Sequence, residues 1–237
     1  MSWGLLASFL ALNLWFSGLG VSVGFHRYFT HRAFTTNAFW RYVMLIGGSL
    51  AGQGSVIFWV ALHRLHHPNS DKLPDIHTPT KGFWHAYMGW IFSIKPTDVS
   101  MSLASDLIKD KWCKLAHRRY TTLLWSWWAL LAILACFEPT RAIAAGAAIA
   151  GMISIHQEAI INSFCHDRRF GKADHLTKDN SRNIRWLAWL TWGQTLHNTH
   201  HAFPGSANFA VDTPQACDPG YHLIKHISHD ITHLQRV

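Results

Sequence analysis

From Trp3 to Phe25 the chain carries no charged side chain. About 20 apolar residues suffice for a helix to cross the hydrocarbon core of a bilayer, so this stretch predicts a membrane span and excludes most water-soluble architectures. No basic segment precedes it, and it runs directly into His26 rather than into a small-residue cleavage site, which argues against a removable secretion signal. Charged residues make up 14% of the chain against a soluble average of about 25%, as a membrane protein requires.

Three further uncharged runs follow. Tyr42 to Leu62 is interrupted by Gly47, Gly48, Gly52, Gln53 and Gly54, whereas Thr121 to Phe137 and Ala142 to Gln157 are joined by Glu138-Pro139-Thr140-Arg141, which reads as a tight helical hairpin. No Pro/Ser/Gly-rich linker divides the chain, so 1–237 is expected to be a single membrane-embedded domain.

Histidines crowd the ends of these runs. HRLHH at 63–67 and HNTHH at 197–201 share the spacing His-x-x-His-His, which on a helix sets positions i, i+3 and i+4 on one face. His63, His66 and His67 make one such face and His197, His200 and His201 a second. His26 and His31, in HRYFTH, lie five apart, about 140° around an ideal helix, and converge only if the helix ends or bends there. His166 follows Asn162 by four residues. A single site built from these stretches must lie on one side of the membrane, so the Tyr42 to Leu62 run cannot cross. The 121–157 hairpin then goes out and returns, giving three crossings with the N-terminus outside. Arg64, Lys72, Lys81, Lys95, Lys109, Lys111, Lys114, Arg118 and Arg119 fall between the second and third runs, so the positive-inside rule puts the histidines on the cytoplasmic side. The expected fold is an all-α integral membrane protein with about three transmembrane helices, interfacial helices and a cytosolic helical cap.

Neutral imidazole is the commonest nitrogen ligand for borderline metals. Eight or nine of them exceed the four positions of tetrahedral zinc and imply two ions, no H-E-x-x-H marks a zinc protease, and an imidazole-rich pair suits iron and oxygen chemistry. The cysteines, Cys113, Cys136, Cys165 and Cys217, form no C-x-x-C pair, which indicates reduced thiols rather than a disulfide framework. The net charge of +8 sits beside apolar spans, a pattern that speaks against nucleic acid and for anionic headgroups, a phosphate-bearing substrate or an acidic protein. Asp71, Asp75, Asp167 and Asp212 are near enough in sequence to brace ligand imidazoles. Asp75 and His77, in DIHTP, fit such a role or a surface turn. His222, His226, His229 and His233 form a stripe read as the solvated face of a helix.

GVSVGFHRYFTHRAF, ALHRLHHPNSD, DIHTP, KGFWHAYMGW, INSFCH and LHNTHHAFP resemble, in order and spacing, the membrane-bound fatty acid desaturases of the delta-9 type, from about Gly20 to Pro204. The resemblance implies a non-haem centre of two iron ions held by His26, His31, His63, His66, His67, His166, His197, His200 and His201, with Asn162 acting through water. It implies a double bond introduced into an acyl chain carried on CoA, carrier protein or lipid, with O2 as co-substrate. The two electrons come from an external donor such as ferredoxin or cytochrome b5. Gln53 and Trp59 match residues that shape a bent acyl tunnel. Glu158 stands where the family often has a small hydroxyl residue, and Lys95 resembles a basic position near the substrate headgroup. Two further departures stand out: the chain begins with what looks like the second helix of the family's first hairpin, and GQTLHN replaces GEGFHN, putting Gln194 and Thr195 where Glu and Gly are usual. The alternatives are a hydroxylase or acetylenase on the same scaffold, and a non-catalytic metal-binding membrane protein or transporter. Transport calls for ionisable groups deep in several spans, and the 121–137 run has none.

Overall fold

Ser2 accepts the Leu5 N–H and starts α1 (Trp3–Asn13), which continues without a break into a wider helical segment, Leu14–Thr30, wound with i→i+5 hydrogen bonds. The computed structural model describes residues 2–95, 97–213 and 215–229. Among these, helices and loops account for the whole fold, and β pairing is confined to three isolated bridges.

The Tyr42 to Leu62 run is two helices rather than one. Asn37 caps α2 (Ala38–Leu50), and α3 (Val56–Asn69) begins after a break at 51–55 where Gly52 and Gly54 take φ of 81° and 101°, values an L side chain rarely adopts. The break is pinned from outside: the Gly54 N–H donates to the Tyr120 hydroxyl at 3.0 Å, and Gln53 Nε2 donates to the Ser154 carbonyl at 2.8 Å. With 13 residues, α2 is about 20 Å long, too short to span. It lies against the wide helical segment backbone to backbone. A methyl group on Gly20 would collide with the Gly47–Gly48 backbone, and one on Gly48 with the Phe25 ring, so the sequence's glycines set the approach of the two elements.

Short helices follow: α4 (Phe83–Tyr87), α5 (Ser105–Lys109) and α6 (Lys111–Arg118), the last capped by Asp110. Asp106 ties α5 to α3 and to the turn after the wide helical segment, accepting from Arg64 and Arg32 at 2.6 Å each. The expected hairpin is present as α7 (Tyr120–Ala135) and α8 (Arg141–Phe164), closed by the Thr140 hydroxyl on the Leu134 carbonyl at 2.7 Å. α8 also packs on α1, where Gly146 leaves room for Ser8. Trp125, Trp128, Ile133, Ile149 and Met152 face outward from the hairpin, an apolar surface suited to lipid.

Two helical stretches, Trp3–Thr30 and Arg141–Phe164, are long and apolar enough to cross a membrane, while α7 is apolar but has 16 residues. After α8 the chain is mostly irregular, apart from α9 (His197–Ala202) and α10 (Pro219–Ile227). His222 and His226 are exposed on α10, His229 lies past its end, and His233 falls outside the described residues.

Candidate metal centre

The end of the wide helical segment resolves the spacing problem in HRYFTH. An i→i+5 turn, with the His31 N–H donating to the His26 carbonyl at 3.2 Å, brings residues five apart nearly one above the other, so the two rings sit 5.2 Å apart. α3 supplies His63, His66 and His67 from its last turns, α9 supplies His197, His200 and His201, and His166 follows the end of α8.

These nine imidazoles form two groups, His26, His31, His63, His67 and His200 in one and His66, His166, His197 and His201 in the other. Neither His-x-x-His-His face serves one group alone. The i, i+4 pair of α3 enters the first group and His66 the second, whereas the i, i+4 pair of α9 enters the second group and His200 the first. The two helices are thereby crossed between two centres.

Within the first group the Nε2 atoms run His26–His200–His67–His63–His31 with successive separations of 2.9, 3.0, 2.9 and 3.1 Å. In the second, His197 and His166 meet Nε2 to Nε2 at 2.9 Å. Each Nε2 has one in-plane position, either a lone pair or an N–H, so a nitrogen facing two others cannot satisfy both by hydrogen bonding. A cation between them removes the conflict: ligand nitrogens about 2.1 Å from an ion at right angles lie about 3.0 Å apart, against about 3.4 Å in a tetrahedron. The donor set therefore fits a metal ion in each group.

Four of the outer nitrogens face an oxygen acceptor. His66 Nδ1 lies 3.1 Å from Asp75, His166 Nδ1 3.2 Å from Asp71 and His201 Nδ1 2.6 Å from Asp179, while His26 Nδ1 faces the Gln194 amide oxygen at 3.0 Å. An N–H donated outward fixes the tautomer and turns the Nε2 lone pair inward. The second group is thus backed by three carboxylates, whereas Gln194 backs the first with a neutral amide. Burial would raise Asp75 and Asp179, but the neighbouring histidines hold both carboxyls below the usual range. Burial pushes His63, His67, His197 and His200 well below the usual imidazole value, His31 down to about 3 and His201 to about 4, which favours the neutral, metal-binding form of these six rings at pH 7.

Of the four aspartates considered from the sequence, Asp71 and Asp75 brace imidazoles. Asp167 instead pairs with Arg169 at 2.6 Å on the surface, and Asp212 is exposed in a turn with φ 50°. Asp75 and His77 are buried beside His66, so DIHTP is not a surface turn. Asp179, which sequence reading missed, sits on a loop held by the intervening residues of HNTHH. Asn198 Oδ1 accepts the His175 N–H at 2.7 Å and its Nδ2 reaches Ser181, while Thr199 exchanges hydrogen bonds with Asn183. Phe209, also missed, lies under His200 with ring centroids 4.3 Å apart, and Thr195 is fully buried against Thr191 at 3.0 Å.

An apolar cavity of about 220 Å³ opens beside the first group. Gln53, Trp59, Glu158 and Asn162 all line it, and His63 forms part of its wall. Trp59 stacks on His63 at 5.0 Å and donates its indole N–H to Gln53 at 3.1 Å. Lys95 does not line this cavity; it is exposed, next to Ile94, which does.

A fatty acid desaturase family model matches residues 1–211. The chain is 34% identical to an sn-1 stearoyl-lipid 9-desaturase of Synechocystis sp., over 89% of the chain and 65% of that protein. It is 32% identical to the protein of the same name from Anabaena variabilis, over 89% of the chain and 76% of the relative. A hex-5-enoyl-[acyl-carrier protein] acetylenase of Moorena producens is 33% identical, over 93% of the chain and 72% of its own length.

Proposed function

The chain belongs to the fatty acid desaturase family, and from that premise we propose that it is an O2-dependent oxidoreductase that removes two vicinal hydrogens from a fatty acyl chain. The observation that carries the reading is the pair of converging imidazole groups with an apolar cavity against one of them. His26, His31, His63, His67 and His200 would hold one iron, and His66, His166, His197 and His201 the other, with Asn162 acting through water. When bound, the iron pair supplies the O2 chemistry needed to break an unactivated C–H bond, which no side-chain acid or base can do.

The protein's own residues position and exclude. Asp71, Asp75, Asp179 and Gln194 orient the ligand rings, Trp59 and Gln53 hold one wall of the acyl tunnel to α8, and the apolar lining keeps bulk water from the reacting carbons. The acyl chain is linked to lipid, CoA or carrier protein, and the electrons come from a separate carrier such as ferredoxin or cytochrome b5, docked on the basic surface. Lys95, at the exposed end of the lining segment, is suited to an anionic headgroup. We place the centre on the cytoplasmic side of a multi-pass protein, with Trp3–Thr30, α7 and α8 as three crossings.

The test is purification with iron, followed by turnover with a reductase and acyl substrates in each linkage. Two irons per chain and an O2- and reductant-dependent product lighter by two hydrogens support the reading; zinc without turnover overturns it, and a gain of one oxygen replaces it with a hydroxylase. The similarity to the Moorena producens protein favours one second reading, an acetylenase, for which an already unsaturated chain would lose two more hydrogens.

A further inference from the structure

The two imidazole groups stand in unequal electrostatic surroundings. Asp75, Asp71 and Asp179 lie 3.1, 3.2 and 2.6 Å from Nδ1 of His66, His166 and His201, all in the second group, and their side chains are only 1%, 5% and 9% exposed. Among the described residues, no carboxylate pairs with a ring nitrogen of His26, His31, His63, His67 or His200. The acceptor on an outer nitrogen of that first group is the buried amide oxygen of Gln194, facing His26 at 3.0 Å. The cations whose charge reaches the first group, Arg27 and Arg64, are each paired with a carboxylate of their own, Asp218 and Asp106, which leaves its surroundings close to neutral.

Two effects act in the same direction. A carboxylate that accepts a ligand's N–H makes that imidazole a stronger donor, and a buried anion, poorly screened, favours the higher charge on a nearby ion. Both stabilise ferric over ferrous iron in the second group. Five imidazoles backed by one neutral amide do neither in the first, and net charge and hydrogen bonding around an iron centre are among the factors that set its potential. Resting on the reading of these groups as a di-iron centre, we propose that the two irons are redox-inequivalent and are reduced in a fixed order. One electron from a one-electron carrier converts ferric to ferrous iron in the first group, and a second electron does the same in the second group. Gln194, acting through His26, is the positioning residue that keeps the first iron the easier to reduce. His63, a ligand of that iron, lines the acyl cavity, so the first electron is stored beside the substrate.

The experiment is an anaerobic potentiometric titration of the whole protein saturated with iron, without acyl substrate, read by electron paramagnetic resonance and Mössbauer spectroscopy. We expect a half-reduced, ferrous–ferric form between two one-electron steps, with a preference of tenfold or more for the first iron, which is a separation of about 59 mV or more. Gln194→Glu, which sets a carboxyl group behind His26, should lower the upper step and narrow the gap. Asp179→Asn, loaded at saturating iron, should raise the lower step and leave the upper one in place. A merely structural disturbance would move or broaden both steps together. The proposal is overturned by coincident steps with no half-reduced form, by an upper step that Gln194→Glu leaves unmoved, or by one that Asp179→Asn moves. The readout needs neither acyl chain nor O2, so the two readings fail separately. Ordered steps in a protein that turns over no acyl substrate would sink the desaturase reading alone, and coincident steps in an active desaturase would sink the proposal alone. Fewer than two irons per chain at saturation would sink both.

Discussion

Arg27 and Asp218 form a buried two-pronged ion pair, 2.8 and 2.9 Å from one guanidinium nitrogen to the two carboxylate oxygens, with side-chain exposures of 0% and 1%. Arg27 follows His26 in the wide helical segment, and Asp218 caps α10 by accepting the Tyr221 N–H while also accepting the Phe209 N–H at 2.8 Å. The guanidinium lies 3.7 Å over the Phe209 ring, and that ring supports His200. Gly193 and Gly220 make room for the pair, since a Cβ on either would collide with it. The pair thus joins the C-terminal segment to the metal centre.

Asp218→Ala strands a charge in the interior and should destabilise the protein by about 3–5 kcal/mol, whereas replacing both partners with apolar residues of similar volume should cost less. Thermal denaturation in detergent, run on the single and the double variant, checks this. A double variant as unstable as the single one would show that the carboxylate's capping bonds, not the stranded guanidinium, dominate.

Asp179→Asn keeps the shape beside His201 but weakens the acceptor that fixes its tautomer. Iron affinity should fall about 10- to 100-fold, with little change in stability of the metal-free protein. Chelator competition followed by metal analysis measures it, and Asp167→Asn, whose carboxylate faces solvent and Arg169, should leave iron binding where it was.

Acid should loosen the metal-free fold. His31 and His201 have folded pKa values of about 3 and about 4, against about 6.5 in an unfolded chain, so between those values the unfolded state binds more protons. Stability is therefore full above about pH 7 and falls as the pH drops, by about 2 kcal/mol for each of the two at pH 5. Melting temperatures of apoprotein from pH 7.5 to 4.5 should decline steadily; a rise on acidification would contradict neutral burial of these rings.

The histidine positions were legible because helical periodicity is local: His-x-x-His-His makes one face wherever the helix sits. The partition of each face between two centres was not, because it depends on how α3 and α9 cross. HRYFTH left the convergence of His26 and His31 conditional on an end or bend in the helix; the actual solution is an i→i+5 turn, which ideal α-helix geometry does not contain. Asp179 and Phe209 reach the site from loops with no periodic signal, and proximity in sequence to a histidine misdirected attention to Asp167 and Asp212. The Tyr42 to Leu62 run is not one of the stretches long and apolar enough to cross a membrane, and its break into α2 and α3 depended on partners at Tyr120 and Ser154.

The chain's own cysteines can test which side each segment faces. Cys136 is exposed at the joint between α7 and α8, whereas Cys217, partly exposed, precedes α10 on the side of the metal centre. Cys165 is buried, and burial together with Asp110 pushes the Cys113 thiol up to about 12, so neither competes for a thiolate-directed reagent at neutral pH. With three crossings, a membrane-impermeant maleimide added to intact cells should label Cys136, and Cys217 only after permeabilisation. Cys136→Ser should abolish the outside signal. Labelling of Cys217 in intact cells would place the centre on the outer side, and protection of Cys136 until permeabilisation would mean that the α7–α8 hairpin enters the bilayer without crossing it.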